Sequence, residues 1–111
     1  MSLEAKLMDK LSRQSIANFR LMDQQVTEVG AAAEKIPATA MNYRKAILIF
    51  NADAAGSFVY LGNSDVTADE TAGTGGFKLN GGAYLFLELD GSVDLYGISG
   101  GSVTVHTLEL G

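Results

Sequence analysis

Glycine is distributed so unevenly that it constrains the fold more than any other feature of the chain. Twelve of the thirteen glycines lie after residue 55, and none occurs before Gly30. In the second half they stand between short apolar runs, as in Phe58–Leu61, Tyr84–Leu89 and Val93–Ile98. Such runs are too short for stable helices. Turn residues at intervals of roughly 8–12 positions are the pattern of an all-β sandwich or small barrel.

Strands are expected from Tyr43 onward. Lys45–Asn51 (KAILIFN) is almost continuously apolar, so it should be buried on both faces or covered by a partner. Phe58–Leu61 and Phe77–Leu79 are short extended pieces on either side of a long polar excursion, residues 62–76. Tyr84–Leu89 places Leu85, Leu87 and Leu89 on one face. Asn80-Gly81 and Asp90-Gly91 carry the signal of two-residue hairpin turns, which need positive φ at both centres. Gly100-Gly101 marks a third turn before a last strand, Ser102–Leu110. In that strand Val103 and Val105 alternate in one phase and Leu108 and Leu110 in the other. A bulge near His106 or Thr107, or two covered faces, would reconcile them.

The N-terminal end is written in a different style. Residues 3–22 lack glycine and proline, and the spacing predicts an amphipathic helix with Ser2 as N-cap and Glu4 in the first turn. Met8, Leu11, Ser15, Phe19 and Met22 fall on one face, widened by Leu3, Leu7 and Ile16. Residues 24–29 suit either the end of this helix or a first strand. Gly30 closes that element, and a loop around Pro37 follows, with Ile36 held extended. The expected division is a helical arm, residues 1–23, and a β-domain, residues 24–111. The arm either packs on its own domain or docks on a neighbour. In the docking case Met8, Leu11, Phe19 and Met22 are the partner-binding residues.

Charge narrows the function. The net charge is −5. Residues 1–45 hold seven basic and five acidic side chains, whereas residues 46–111 hold Lys78 against eight acidic ones. An acidic body argues against nucleic-acid binding, which needs cations on phosphates. No run approaches the roughly 18 apolar residues of a membrane span. Charged residues from Lys6 to Arg20 interrupt any signal-peptide core, so synthesis in the cytoplasm is expected. The absence of cysteine removes disulfides and thiolate chemistry.

No constellation of catalytic residues emerges. His106 is the single histidine and sits in an expected strand beside Thr104, without a serine and carboxylate arranged around it. Gly73–Lys78 has neither the spacing of a phosphate loop nor a helix after it. Asn63, Asp65, Asp69 and Glu70 are dense oxygen donors without EF-hand spacing. Glu88, Asp90 and Asp94 gather at a turn rather than across a cleft. Tyrosines and phenylalanines of the β-region read as core and interface filler, or as sugar-stacking platforms. The expectation is a protein that is not an enzyme and uses no catalytic residue, cofactor or metal.

The segment Arg44–Gly111 also carries a recognisable order: RKAILIFN, FVYLGNSDVTA, GFKLNGG, AYLFLEL, DLYGISGG and VTVHTLELG. It resembles small bacteriophage virion β-sandwich proteins, including capsid decoration (cement) proteins and head-fibre-like domains. The resemblance implies a jelly-roll-like sandwich on the capsid exterior, self-associated as a dimer or trimer and bound to the major capsid protein. A head-fibre base, tail or adaptor component is the alternative within that class. A carbohydrate- or receptor-binding module is the alternative outside it.

Overall fold

The computed structural model describes residues 19–111 as eight strands with no helix. They are β1 (Met22–Val29), β2 (Glu34–Lys35), β3 (Ala46–Asn51), β4 (Phe58–Gly62), β5 (Phe77–Asn80), β6 (Tyr84–Leu87), β7 (Tyr96–Ile98) and β8 (Val103–Leu110). Two four-stranded antiparallel sheets form, one in the order β1-β8-β3-β6 and the other in the order β2-β7-β4-β5. We call them sheet A and sheet B. Their inner faces meet in one core of Val29, Ile36, Ile47, Ile49, Val59, Leu61, Leu79, Leu95, Val103 and Val105. Leu85, Leu87 and Leu89 pack against it, as their alternation predicts.

The two ends of β3 are closed by polar side chains. At one end Asn51 is fully buried, and its Nδ2 donates to the carbonyls of Ser57 (2.9 Å) and Leu79 (3.0 Å). Its Oδ1 accepts from Asp53 N at 3.1 Å. At the other end Arg44 and Glu109 form a buried ion pair of 2.9 Å. Arg44 also donates to the carbonyls of Leu89, Asp90 and Val93, and Glu109 accepts from Met41 N. These bonds supply the partners that buried charges require.

Several sequence expectations need correction. Residues 1–18 lie outside the described part, so most of the expected helix does too. Its final residues are not helical: Phe19–Leu21 are irregular and Met22 opens β1. Leu21 and Gly111 exchange backbone hydrogen bonds of 2.7 and 2.9 Å, and β8 then offers a partner to every residue as far as Val29. Tertiary pairing outweighs local helix propensity here. Strand pairing is accordingly in place from Leu21, ahead of residue 24, and residues 24–29 are strand. Tyr43 is not in a strand but in a turn, with φ at 62°.

The hairpin assignments at Asn80-Gly81 and Asp90-Gly91 are overturned as well, while the turn expected at Gly100-Gly101 is present between β7 and β8. Each turn links strands of opposite sheets: β5 to β6, β6 to β7, and β7 to β8. In the first, Ala83 N bonds to Asn80 O and positive φ falls on Gly82 (83°), which is type II rather than type I′ behaviour. Among the described strands only β4 and β5 are consecutive partners within one sheet.

Strand β8 contains no bulge. Its pairing with β1 runs without interruption from Met22↔Leu110 to Val29↔Val103. Val103, Val105, Thr107 and Glu109 face inward, so Leu108 and Leu110 face outward. The change of phase is one of composition, and it puts leucines on the outer side of sheet A.

Candidate functional site

The outer faces of the two sheets are finished differently. On sheet B the segment between β4 and β5 folds back over the strands. Val66 is buried, and a Cβ at Gly76 would lie 2.5 Å from its Cγ2. Tyr60 is also buried there. Its hydroxyl donates to Glu70 Oε1 at 3.0 Å, Lys78 Nζ lies 2.5 Å from the same oxygen, and that ammonium sits 3.9 Å from the Phe58 ring centroid. Lys78 and Tyr60, by their hydrogen bonds, hold the Glu70 carboxyl below its ordinary range. Desolvation, then Glu70, raises the Tyr60 phenol.

Sheet A has no such cover among the described residues. Registers across β1, β8, β3 and β6 align two outward rows. One is Gln24, Leu108, Leu48 and Phe86; the other is Val26, His106, Phe50 and Tyr84. Neither row contains a charged side chain. Val26 is 62% exposed, Tyr84 70% and Phe86 42%. A shallow depression lies over Gln24, Val26, Leu48, Phe50, His106 and Leu108. His106 meets the Phe50 ring edge to face, with centroids 6.3 Å apart and planes at 89°. This broad apolar face is the candidate functional surface, since contiguous exposed apolar patches mark interaction sites.

The sequence-predicted site residues reach this surface only in part. Met8 and Leu11 lie outside the described residues. Phe19 is half-buried just ahead of β1, and Met22 is exposed on the outward side of β1, in line with Leu110. The apolar run of β3 points to two buried faces or a covering partner, and strand pairing brings Val26, His106, Tyr84 and Phe86 beside Leu48 and Phe50 on the outer one.

The polar clusters are dispersed. Asn63 Oδ1 accepts from Asp65 N, and Asp69 Oδ1 accepts from Thr71 N and Oγ1. Those bonds hold the Asp69 carboxyl low. Asp94 pairs with Lys35 at 3.6 Å, and Asp90 accepts from Ser92 N. Among the described residues no three acidic or histidine side chains are grouped for a metal. Gly73–Gly76 is a turn running into β5, a strand. Tyr43, in the turn before β3, and Tyr84, in β6 opposite Phe50, are the most exposed tyrosines and lie toward opposite ends of β3.

Searches for a matching family model, curated protein or solved structure gave no match.

Proposed function

We propose that this chain is a structural virion component, a capsid decoration protein that binds and stabilises the lattice of the major capsid protein from outside. The observation that carries the reading is the outer face of sheet A. It is broad, apolar and nearly free of charge, while the opposite sheet is covered by its own loop. A flat sheet face of this kind suits attachment to another protein surface better than enclosure of a small molecule. The orders β1-β8-β3-β6 and β2-β7-β4-β5 support an eight-stranded jelly roll, an architecture used by viral capsid and lectin domains. Fold alone does not assign the task, and the resemblance of Arg44–Gly111 to virion proteins favours the capsid. A head-fibre base or adaptor would use the same face against a different virion partner.

The test is co-sedimentation of the purified chain with heads assembled without it. Saturable binding is expected, together with a higher rupture temperature of the heads. Phe50→Glu and Phe86→Glu, both at solvent-facing positions, should each weaken binding by roughly tenfold or more, as loss of an interface anchor does. Wild-type protein that stays in the supernatant, or folded variants that bind as well as wild type, would overturn the proposal.

A further inference from the structure

Among the described residues, strand β1 is the long edge of sheet A. It has eight residues, contains neither proline nor lysine, and has β8 as its one strand partner among the described residues. The mutual bonds between Leu21 and Gly111 set the phase of the ladder. Hydrogen-bonded pairs therefore recur at Asp23, Gln25, Thr27 and Val29, and the N–H and C=O groups of Met22, Gln24, Val26 and Glu28 point away from β8. Unpaired edges of this length are templates for another strand, and proteins usually blunt them with proline, lysine, bulges or shortness. The other edges are shorter: β2 has two residues, while β5 and β6 have four each.

We infer that two copies of the chain pair antiparallel through β1, joining their A sheets into one eight-stranded sheet. Side-chain chemistry selects the register. A two-fold axis at Gln24 sets Gln24 opposite its own copy, Met22 opposite Val26 of the second copy, and Arg20 opposite Glu28 of the second copy. Amide meets amide, apolar meets apolar and cation meets anion, which are the favourable cross-strand combinations. The side chains of Arg20, Met22, Gln24 and Val26 are exposed in the single chain. The Arg20 N–H is taken by the Gly111 carbonyl, so its contact with Glu28 of the second copy is one of side chains alone, and Glu28 also accepts from Ser102 and Thr104. Pairing also carries the two apolar rows from one copy toward the other, doubling the width of the face. The inference concerns the chain alone and needs no capsid, so it stands or falls separately from the decoration reading.

The native chain has no cysteine, which makes single-cysteine cross-linking clean. In the proposed register the two Gln24 Cα atoms lie about 5.5 Å apart, within disulfide reach. The two Val26 Cα atoms lie more than about 12 Å apart. Light scattering should give twice the 11.7 kDa chain mass for wild type. Gln24→Cys should form a disulfide-linked dimer under mild oxidation and Val26→Cys should not. Val26→Pro removes an N–H that β8 does not use, so it should yield a folded monomer with the same circular dichroism. Arg20→Glu should raise the dimer dissociation constant by about tenfold, and adding Glu28→Arg should restore it. A monomeric wild type would overturn the inference. So would a dimer that survives Val26→Pro and fails to cross-link at residue 24, because its interface would lie elsewhere.

Discussion

Arg44 Nη1 lies 2.9 Å from Glu109 Oε2, and both side chains are sealed from solvent although 65 positions separate them in sequence. The pair ties the start of β3 to the end of β8, and the remaining guanidinium donors hold the chain between Leu89 and Val93. Removing one partner strands a buried charge. Glu109→Leu or Arg44→Met should therefore cost about 3–5 kcal/mol. The double variant should recover only part of that, because Met41 N and three carbonyls lose their partners. Urea denaturation of the three variants measures it; single variants within 1 kcal/mol of wild type would contradict this role.

Asn51 performs the equivalent task at the far end of β3. Asn51→Leu keeps the side-chain volume but leaves the Ser57 and Leu79 carbonyls without its amide. A loss of about 1–3 kcal/mol is expected for buried polar groups left unsatisfied. Thermal melting should show it.

The glycines divide sharply. A Cβ at Gly81 would sit 1.9 Å from the Ala54 carbonyl oxygen, whereas one at Gly100 would meet nothing within 4 Å. Gly81→Ala should destabilise by about 1–3 kcal/mol through forced backbone displacement. Gly100→Ala should be neutral or gain up to about 1 kcal/mol from a less flexible unfolded chain. Equal melting temperatures for the two variants would contradict the corner geometry between β5 and β6.

The Tyr60–Glu70–Lys78 group gives the cover of sheet B a pH dependence. Glu70 is depressed, first by the hydrogen bond from Lys78 and then by that from Tyr60. Its stabilisation is present above the ordinary carboxylate range and is lost as pH falls through the depressed value. Lys78 is raised, chiefly by its bond to Glu70, so its contribution is full below the ordinary amine range and is lost as pH rises through the raised value. Carbon-detected NMR titration should find Glu70 below its usual midpoint, and Lys78→Met should move it back up. An unchanged midpoint in that variant would exclude the ion pair as its cause.

The N-terminal segment offers a separation of fold from attachment. Strand pairing begins at Leu21, so deleting residues 1–18 should leave a folded β-domain by circular dichroism. If the apolar stripe with Met8 and Leu11 grips a neighbour, the truncated chain should bind heads about tenfold or more weakly. Full affinity in a folded truncation would assign attachment to the sheet face alone.

Local patterns carried much of the fold and little of its connectivity. The alternation of Leu85, Leu87 and Leu89 marked one side of β6 and its continuation, whereas β8 carries valines in one phase and leucines in the other, so its inner side was settled only by pairing with β1 and β3. Asn80-Gly81 correctly marked a reversal, yet nothing local distinguishes a turn within a sheet from a corner between sheets. Nothing local in the sequence marks Glu109 as buried; Arg44, 65 positions away, is what makes it so. The outer face of sheet A was legible on β3, where Leu48 and Phe50 break the polar alternation. The rest of it depends on partners drawn from strands distant in sequence.

The crossing connections also dictate when the molecule can assemble. Strand β1 has to wait for a partner that begins at Val103, and β3 waits for the same strand. Almost no pairing can be secured between neighbours along the chain, apart from β4 with β5. Topologies dominated by such distant pairings fold in roughly milliseconds to seconds, far more slowly than helical bundles of similar size. During that interval β3 and β6 expose apolar residues and unpaired backbone, so crowded synthesis carries a risk of misassembly. The acidic charge of residues 46–111 supplies mutual repulsion between unfinished chains over this period.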